Sequence, residues 1–240
     1  MMRGIATLIA GLCLSFAGTA AIAAGPEQID QLEPDKGDWQ LEYFGTFSGA
    51  DENDHALEAM VGLSDKLALG IEVEGEYSNG DLRFDTVAAK ALYRLTPKDA
   101  EIGAGLQLEA AFDDRASLAE VEARLIVSSQ SESWWSQGNT MLRRSTDDGR
   151  TDISGAYAWS VQRSLSKSAW LGLEGSGQVG RRSCDDEGCE SDSGHFAGPS
   201  FTLELEHGRG AETEFGLAAL RSLARGESDY VVRLFVQTTF

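Results

Sequence analysis

Tyr230-Val231-Val232-Arg233-Leu234-Phe235-Val236-Gln237-Thr238-Thr239-Phe240 closes the chain, and its side chains sort into two sets. Tyr230, Val232, Leu234, Val236 and Thr238 share one face, while Val231, Arg233, Phe235, Gln237 and Thr239 share the other. Such a period of two belongs to a β-strand, because successive Cβ atoms leave opposite sides of the pleat. Upstream, Leu67, Leu69, Ile71, Val73 and Tyr77 alternate with Glu72, Glu74 and Glu76, a separation that no helix could place on two faces.

Working outward, Trp39, Leu41, Tyr43, Gly45 and Phe47 alternate with Gln40, Glu42, Phe44 and Thr46, and Leu57, Ala59, Val61 and Leu63 with Glu58, Met60 and Gly62. The run from Leu82 to Leu95 is less regular, with Lys90 and Arg94 on its polar side, and a bulge is expected to shift its register. Further runs set Ile102 to Phe112 against Glu101, Gln107 and Glu109, and Ala119 to Val127 against Glu120, Glu122 and Arg124. Trp134 to Arg144 is polar and weakly patterned, and Ile153 to Val161 follows it. Leu171 and Leu173 face away from Glu174 and Gln178, Phe201 to Leu205 from Glu204 and Glu206, and Phe215 to Ala219 from Glu214. With the terminal run these make about twelve strands, the even number that a closed bacterial barrel requires.

At the other end, Arg3 precedes an apolar stretch from Ile5 to Ala17, followed by Ala20, Ala21, Ala23 and Ala24. This pattern predicts a cleavable secretory signal over 1–23, with Ala21 and Ala23 at the small-residue positions. It is too short to cross about 30 Å of hydrocarbon, which takes about 20 residues. Cys13 follows Leu12 rather than a small residue, is not expected to be acylated, and would be lost on maturation. Residues 24–38, with Pro26, Pro34 and several acids, show no period and predict a periplasmic leader before a barrel over 39–240.

The balance of 39 Asp plus Glu against 20 Lys plus Arg argues against nucleic acid, whose phosphates need clustered cations. With 27 glycines, four prolines and no long apolar run after the signal, the remaining alternatives are an exported soluble β-protein or a closed barrel. Two further features favour the barrel. With both termini in the periplasm, the even-to-odd links at 64–66, 96–99, 129–133, 165–168 and 207–211 are short, and the extracellular links, 182–196 above all, are longer. Trp39, Trp134, Trp135, Trp170 and Tyr230 lie near run ends, where interfacial aromatics belong.

A terminal phenylalanine on an alternating strand resembles the C-terminal signature of Gram-negative outer-membrane β-barrels, which implies that the barrel-assembly machinery reads Phe240. Gly37 to Phe44 with Trp39, Glu42 and Tyr43, the Ala91-Leu92-Tyr93-Arg94 segment and Gly198-Pro199 resemble porin-like transporters grouped with meta-pathway phenol-degradation barrels. That resemblance implies passage of a small solute and names no substrate.

Carboxylates facing lipid are costly, so in a barrel the polar face is the lumen. The expected lumen-lining set is Glu72, Glu74, Glu76, Lys90, Arg94, Glu109, Glu120, Glu122, Arg124, Glu174, Glu204, Glu206 and Glu214. Two readings stay open for it: an acidic passage that attracts cations, as carboxylate rings do, or glutamates paired with Lys90, Arg94, Arg124 and Arg233 to fill a narrow interior. Cys184 and Cys189, close together in an exported chain, are expected to form a loop disulfide. Thiolate metal ligation would want more Cys or His than the nearby His195.

Acidic groups in the outer loops, such as Asp51, Glu52 and Asp54 or Asp185, Asp186 and Glu187, lack the ligand order of a calcium loop and read as solvated tips. Bound divalent ions would let them bridge to lipopolysaccharide. His55, His195 and His207 sit in no recognisable hydrolase motif, and no cofactor or metal site is expected. The sequence therefore predicts an all-β, single-domain, antiparallel transmembrane barrel with periplasmic termini, in the outer membrane of a Gram-negative bacterium after secretory export. Its expected role is a porin-like channel for small neutral or cationic solutes. A closed structural or adhesion barrel is the alternative, and an outer-membrane hydrolase the third.

Overall fold

The structure, a computed structural model, describes residues 27–240 except 33, 49–51, 79–80, 148–149, 180, 186–187, 193, 209 and 224–229. Its strands are β1 (Trp39–Phe47), β2 (Glu52–Ser64), β3 (Leu67–Ser78), β4 (Asp81–Arg94), β5 (Gly103–Phe112), β6 (Leu118–Gln130) and β7 (Trp134–Asp147). They continue as β8 (Arg150–Ser166), β9 (Ala169–Val179), β10 (Arg181–Asp185), β11 (Gly188–Asp192), β12 (His195–Glu206), β13 (Glu212–Ser222) and β14 (Tyr230–Thr239). Twelve of them close an antiparallel barrel in the order β1 to β9, then β12, β13, β14 and back to β1.

Closure lies at the C-terminal strand. Strand β14 pairs with β1 from Gln40 opposite Thr239 to Phe47 opposite Val232. Trp39 and Phe240 then exchange two backbone hydrogen bonds of 2.9 Å. A closed ladder leaves no edge, and so no row of unpaired N–H and C=O groups to be desolvated.

The alternation becomes an inside and an outside of reversed polarity. Leu41, Ile71, Leu108, Leu142, Leu173 and Leu217 are exposed on the outer face, while Glu42, Glu58, Glu72, Lys90, Glu122, Arg124, Glu174 and Arg233 are buried. An apolar surface encircling the molecule far exceeds the few hundred Å² that a soluble monomer normally exposes, and lipid is the solvent that fits it. In β4 the register steps from Val73 opposite Val87 to Gly75 opposite Phe84, so the expected bulge falls where the alternation blurs.

The link expected at 182–196 is built differently. Residues Arg181–Asp185 and Gly188–Asp192 form a hairpin of their own. Polar residues occupy most of both strands, so the hairpin leaves no apolar alternation to detect. Elsewhere at this end the strands run on into their turns, with β7 paired to β8 as far as Asp147 opposite Arg150. Much of the length expected as loop is therefore strand.

Candidate functional site

The barrel register lines up carboxylates from strands far apart in sequence. Glu204 stands opposite Glu214, Glu214 opposite Gln237, Gln237 opposite Glu42, Glu42 opposite Glu58, and Glu58 opposite Glu72. The row continues through Lys90 opposite Glu109, Glu109 opposite Glu122, and Glu122 opposite Arg143. Directly opposed like charges repel, and Lys90 relieves one stretch. Its Nζ lies 2.7 Å from Glu58, 2.8 Å from Glu72 and 3.6 Å from Glu109.

A second centre is built around Glu122. Arg124 Nε donates to Glu122 Oε1 at 2.7 Å, and Arg143 Nε donates to Glu122 Oε2. Across the lumen Arg233 pairs with Glu174, and its guanidinium lies 5.7 Å from the centre of the Phe44 ring.

The remaining predicted lumen residues spread along the axis. Glu74 accepts from Thr86 Oγ1 at 2.6 Å, and Glu120 accepts from Ser145 Oγ at 2.7 Å. Glu204 is half-buried, whereas Glu76 and Glu206 are exposed near opposite ends. Phe240 carries an exposed ring. Cys184 lies opposite Cys189 in the hairpin register, but their side chains fall outside the described residues.

The segment expected as a periplasmic leader runs, over residues 27–32, inside the barrel. Glu27 meets Arg143 through two parallel bonds of 2.8 and 2.6 Å and accepts from Gln178 Nε2 at 3.0 Å. Asp30 Oδ2 accepts from Gln107 Nε2 at 2.6 Å and lies 2.6 Å from Arg124 Nη1. Asn139 binds the Asp30 backbone on both sides, accepting from its N–H at 2.6 Å and donating to its carbonyl at 3.2 Å. Gln31 Nε2 donates to Glu214 at 3.2 Å, and Gln28 Nε2 to Glu42 at 3.2 Å.

Lower down, Leu32 packs with Met60, Ala68, Leu92 and Ile126 in a small apolar socket. Arg94 donates to the Leu32 carbonyl. At the closure end Asp35 pairs with Lys98, and that hydrogen bond and the Asp35 charge hold the Lys98 ammonium above the usual lysine range. Gly37 N–H donates to Gly62 O at 2.8 Å and Gly62 N–H to Asp38 O at 3.0 Å. A cavity of about 320 Å³ remains on the far side of the segment, bordered by Glu27, Glu74, Glu76, Glu109, Glu120 and Arg143 among others.

Arg143, Gln107, Asn139 and the segment itself lie outside the expected lumen-lining set. Arg143 and Asn139 lie in the weakly patterned run after Trp134, and a six-residue segment with only Ile29 and Leu32 as apolar side chains shows no period to betray its place. Glu42 and Glu58 were within reach, since both lie on polar faces of alternating runs. Among the described residues, no group of three His, Cys, Asp or Glu side chains could hold a metal ion. His55 and His195 bond to Tyr43 and Tyr157 at 2.8 and 2.9 Å, and His207 to Thr213 at 2.9 Å.

These features define a class of fold, the outer-membrane porin-like β-barrel. Solved structures share it. An outer membrane channel from Pseudomonas putida F1 superposes with a TM-score of 0.59 at 13% identity, over 91% of this chain and 100% of that one. The NanC porin superposes with a TM-score of 0.55 at 10% identity, over 83% of this chain and 98% of that one. No family model and no curated protein matches the sequence.

Proposed function

We propose that this protein is a channel of the Gram-negative outer membrane, reached by secretory export, whose lumen is closed by its own residues 27–32. The observation that carries this reading is how the segment is held. It has no strand partner in the barrel interior and is fixed by side-chain contacts to a largely polar wall. Its withdrawal would leave a passage rather than a torn sheet. The two similar solved structures, a channel and a porin, support the same class by fold.

Carboxylates outnumber cations along the wall, so the opened passage favours small neutral or cationic solutes. In planar bilayers the intact chain should conduct weakly. Deleting 27–32 should raise conductance severalfold, with cation preference that falls when Glu58 and Glu72 become glutamine; a silent deletion variant would refute the channel. The lipid-facing band calls for outer-membrane lipids. Lipopolysaccharide at the polar end, Phe240 as the assembly signal and a Cys184–Cys189 disulfide belong to the same reading, which assigns the chain no enzymatic step.

A further inference from the structure

The wall formed by β6 and β7 contains an exception to the acidic lumen. Glu122 takes the Nε of both Arg124 and Arg143 on its two carboxylate oxygens. Both guanidiniums are thereby turned so that their Nη groups point away from the wall, as a pair of forks. The segment fills them unequally. Arg143 holds Glu27 in the parallel two-bond arrangement that suits a guanidinium and a carboxylate. Arg124, 5% exposed, has Asp30 Oδ2 2.6 Å from Nη1, yet that nitrogen makes no hydrogen bond. Asp30 Oδ1 is likewise buried without a hydrogen-bond partner. The second fork is thus occupied by charge but not satisfied in geometry.

Beside the second fork, Asn139 reads the N–H and carbonyl of Asp30, as a strand partner would, and Gln107 adds a donor for the carboxylate. The surroundings therefore recognise two carboxylates on an amide backbone. Glu27 and Asp30, three residues apart, have Cα atoms at most about 11 Å from each other.

Resting on the channel reading, we infer that the Arg124–Arg143 forks, oriented by Glu122, are a binding site for extended acidic peptides, which residues 27–32 occupy as an internal mimic. An acidic peptide competes with the segment for the same donors, and its binding displaces the closure. Arg124 and Arg143 are the binding residues. Glu122 is a positioning residue, because it acts only through the two guanidiniums.

The test uses the full chain in detergent with Glu27→Gln and Asp30→Asn, which keeps the segment but empties the forks of charge. The probe is a capped hexapeptide of sequence Glu-Gln-Ile-Asp-Gln-Leu, titrated by calorimetry, with Gln-Gln-Ile-Asn-Gln-Leu as its neutral counterpart. The acidic peptide should bind at least about tenfold more tightly than the neutral one, and more tightly to this variant than to the unaltered chain.

Adding Arg143→Lys, which keeps the charge and removes the fork, should cost about tenfold. Adding Glu122→Gln should weaken the acidic peptide and leave the neutral one unchanged. Equal binding of the two peptides overturns the inference, and that comparison needs no arginine variant to fold. A chain that binds the acidic peptide but never conducts refutes the channel and leaves the site standing. One that conducts and binds both peptides alike does the reverse.

Discussion

Lys90 shows what a single side chain decides in this interior. It is 4% exposed and serves Glu58 and Glu72 at hydrogen-bond distance, with Glu109 further off. Removing one partner of a buried ion cluster leaves uncompensated charge, at a cost of several kcal/mol. Lys90→Gln should lower stability by about 3 kcal/mol in reversible unfolding from lipid, and an unchanged midpoint would show that water already screens the row.

Gly62 works through space instead of charge. A Cβ there would sit 1.9 Å from the Asp35 carbonyl oxygen, a backbone atom with little freedom to move away. Gly62→Ala should therefore break the tether at the closure end and raise open-channel current while leaving the barrel folded. Current like that of the unaltered chain would refute the role. Neither effect was legible locally. Lys90 was expected in the lumen, but its three partners come from β2, β3 and β5; Gly62 is one small residue on an alternating strand.

At the scale of elements, the strands and the inserted segment are held by different physics. Each barrel strand is secured by ladder bonds to two neighbours, whereas residues 27–32 depend on ion pairs, amide contacts and the apolar contacts of Ile29 and Leu32. Leu32, the buried one of the two, also fills space that a Cβ on Gly105 would contest, at 2.5 Å from Leu32 Cδ2. Leu32→Ala should remove about 2 kcal/mol or more of docking energy. Hydrogen exchange at the amides of 27–32 should then quicken about thirtyfold while the strand amides stay protected. Equal quickening in both would mean that segment and barrel open together.

The closing pair makes the other prediction at this scale. Deleting Phe240 removes both backbone hydrogen bonds to Trp39 and the proposed assembly signal. The amount of folded protein in outer-membrane fractions should drop severalfold, and undiminished recovery would count against Phe240 as a signal.

For the whole molecule, reversed polarity and edge closure act together. A barrel whose ladder is continuous has no end from which to unzip. The unboiled protein should keep its β circular-dichroism spectrum and migrate faster in detergent gels than the boiled protein; a single mobility would argue against closure. The strand positions were legible because the alternation of side chains is imposed by the pleat itself, residue by residue. The hairpin at β10 and β11 was not, since both strands are mostly polar and carry no alternation.

The class of fold was already written in the chain: strands of period two with one apolar and one polar face, enough of them to close, and a terminal run able to meet the first. Those properties are local and covalent in origin, so no partner was needed to read them. Which carboxylate meets which cation, and the filling of the lumen by residues 27–32, follow only from the closed barrel. Register between distant strands sets the first, as in the shared use of Glu122 by Arg124 and Arg143. Contacts such as Glu27 to Arg143 and Asp30 to Asn139 set the second, and they join residues more than a hundred positions apart, a proximity that exists only once the barrel has closed.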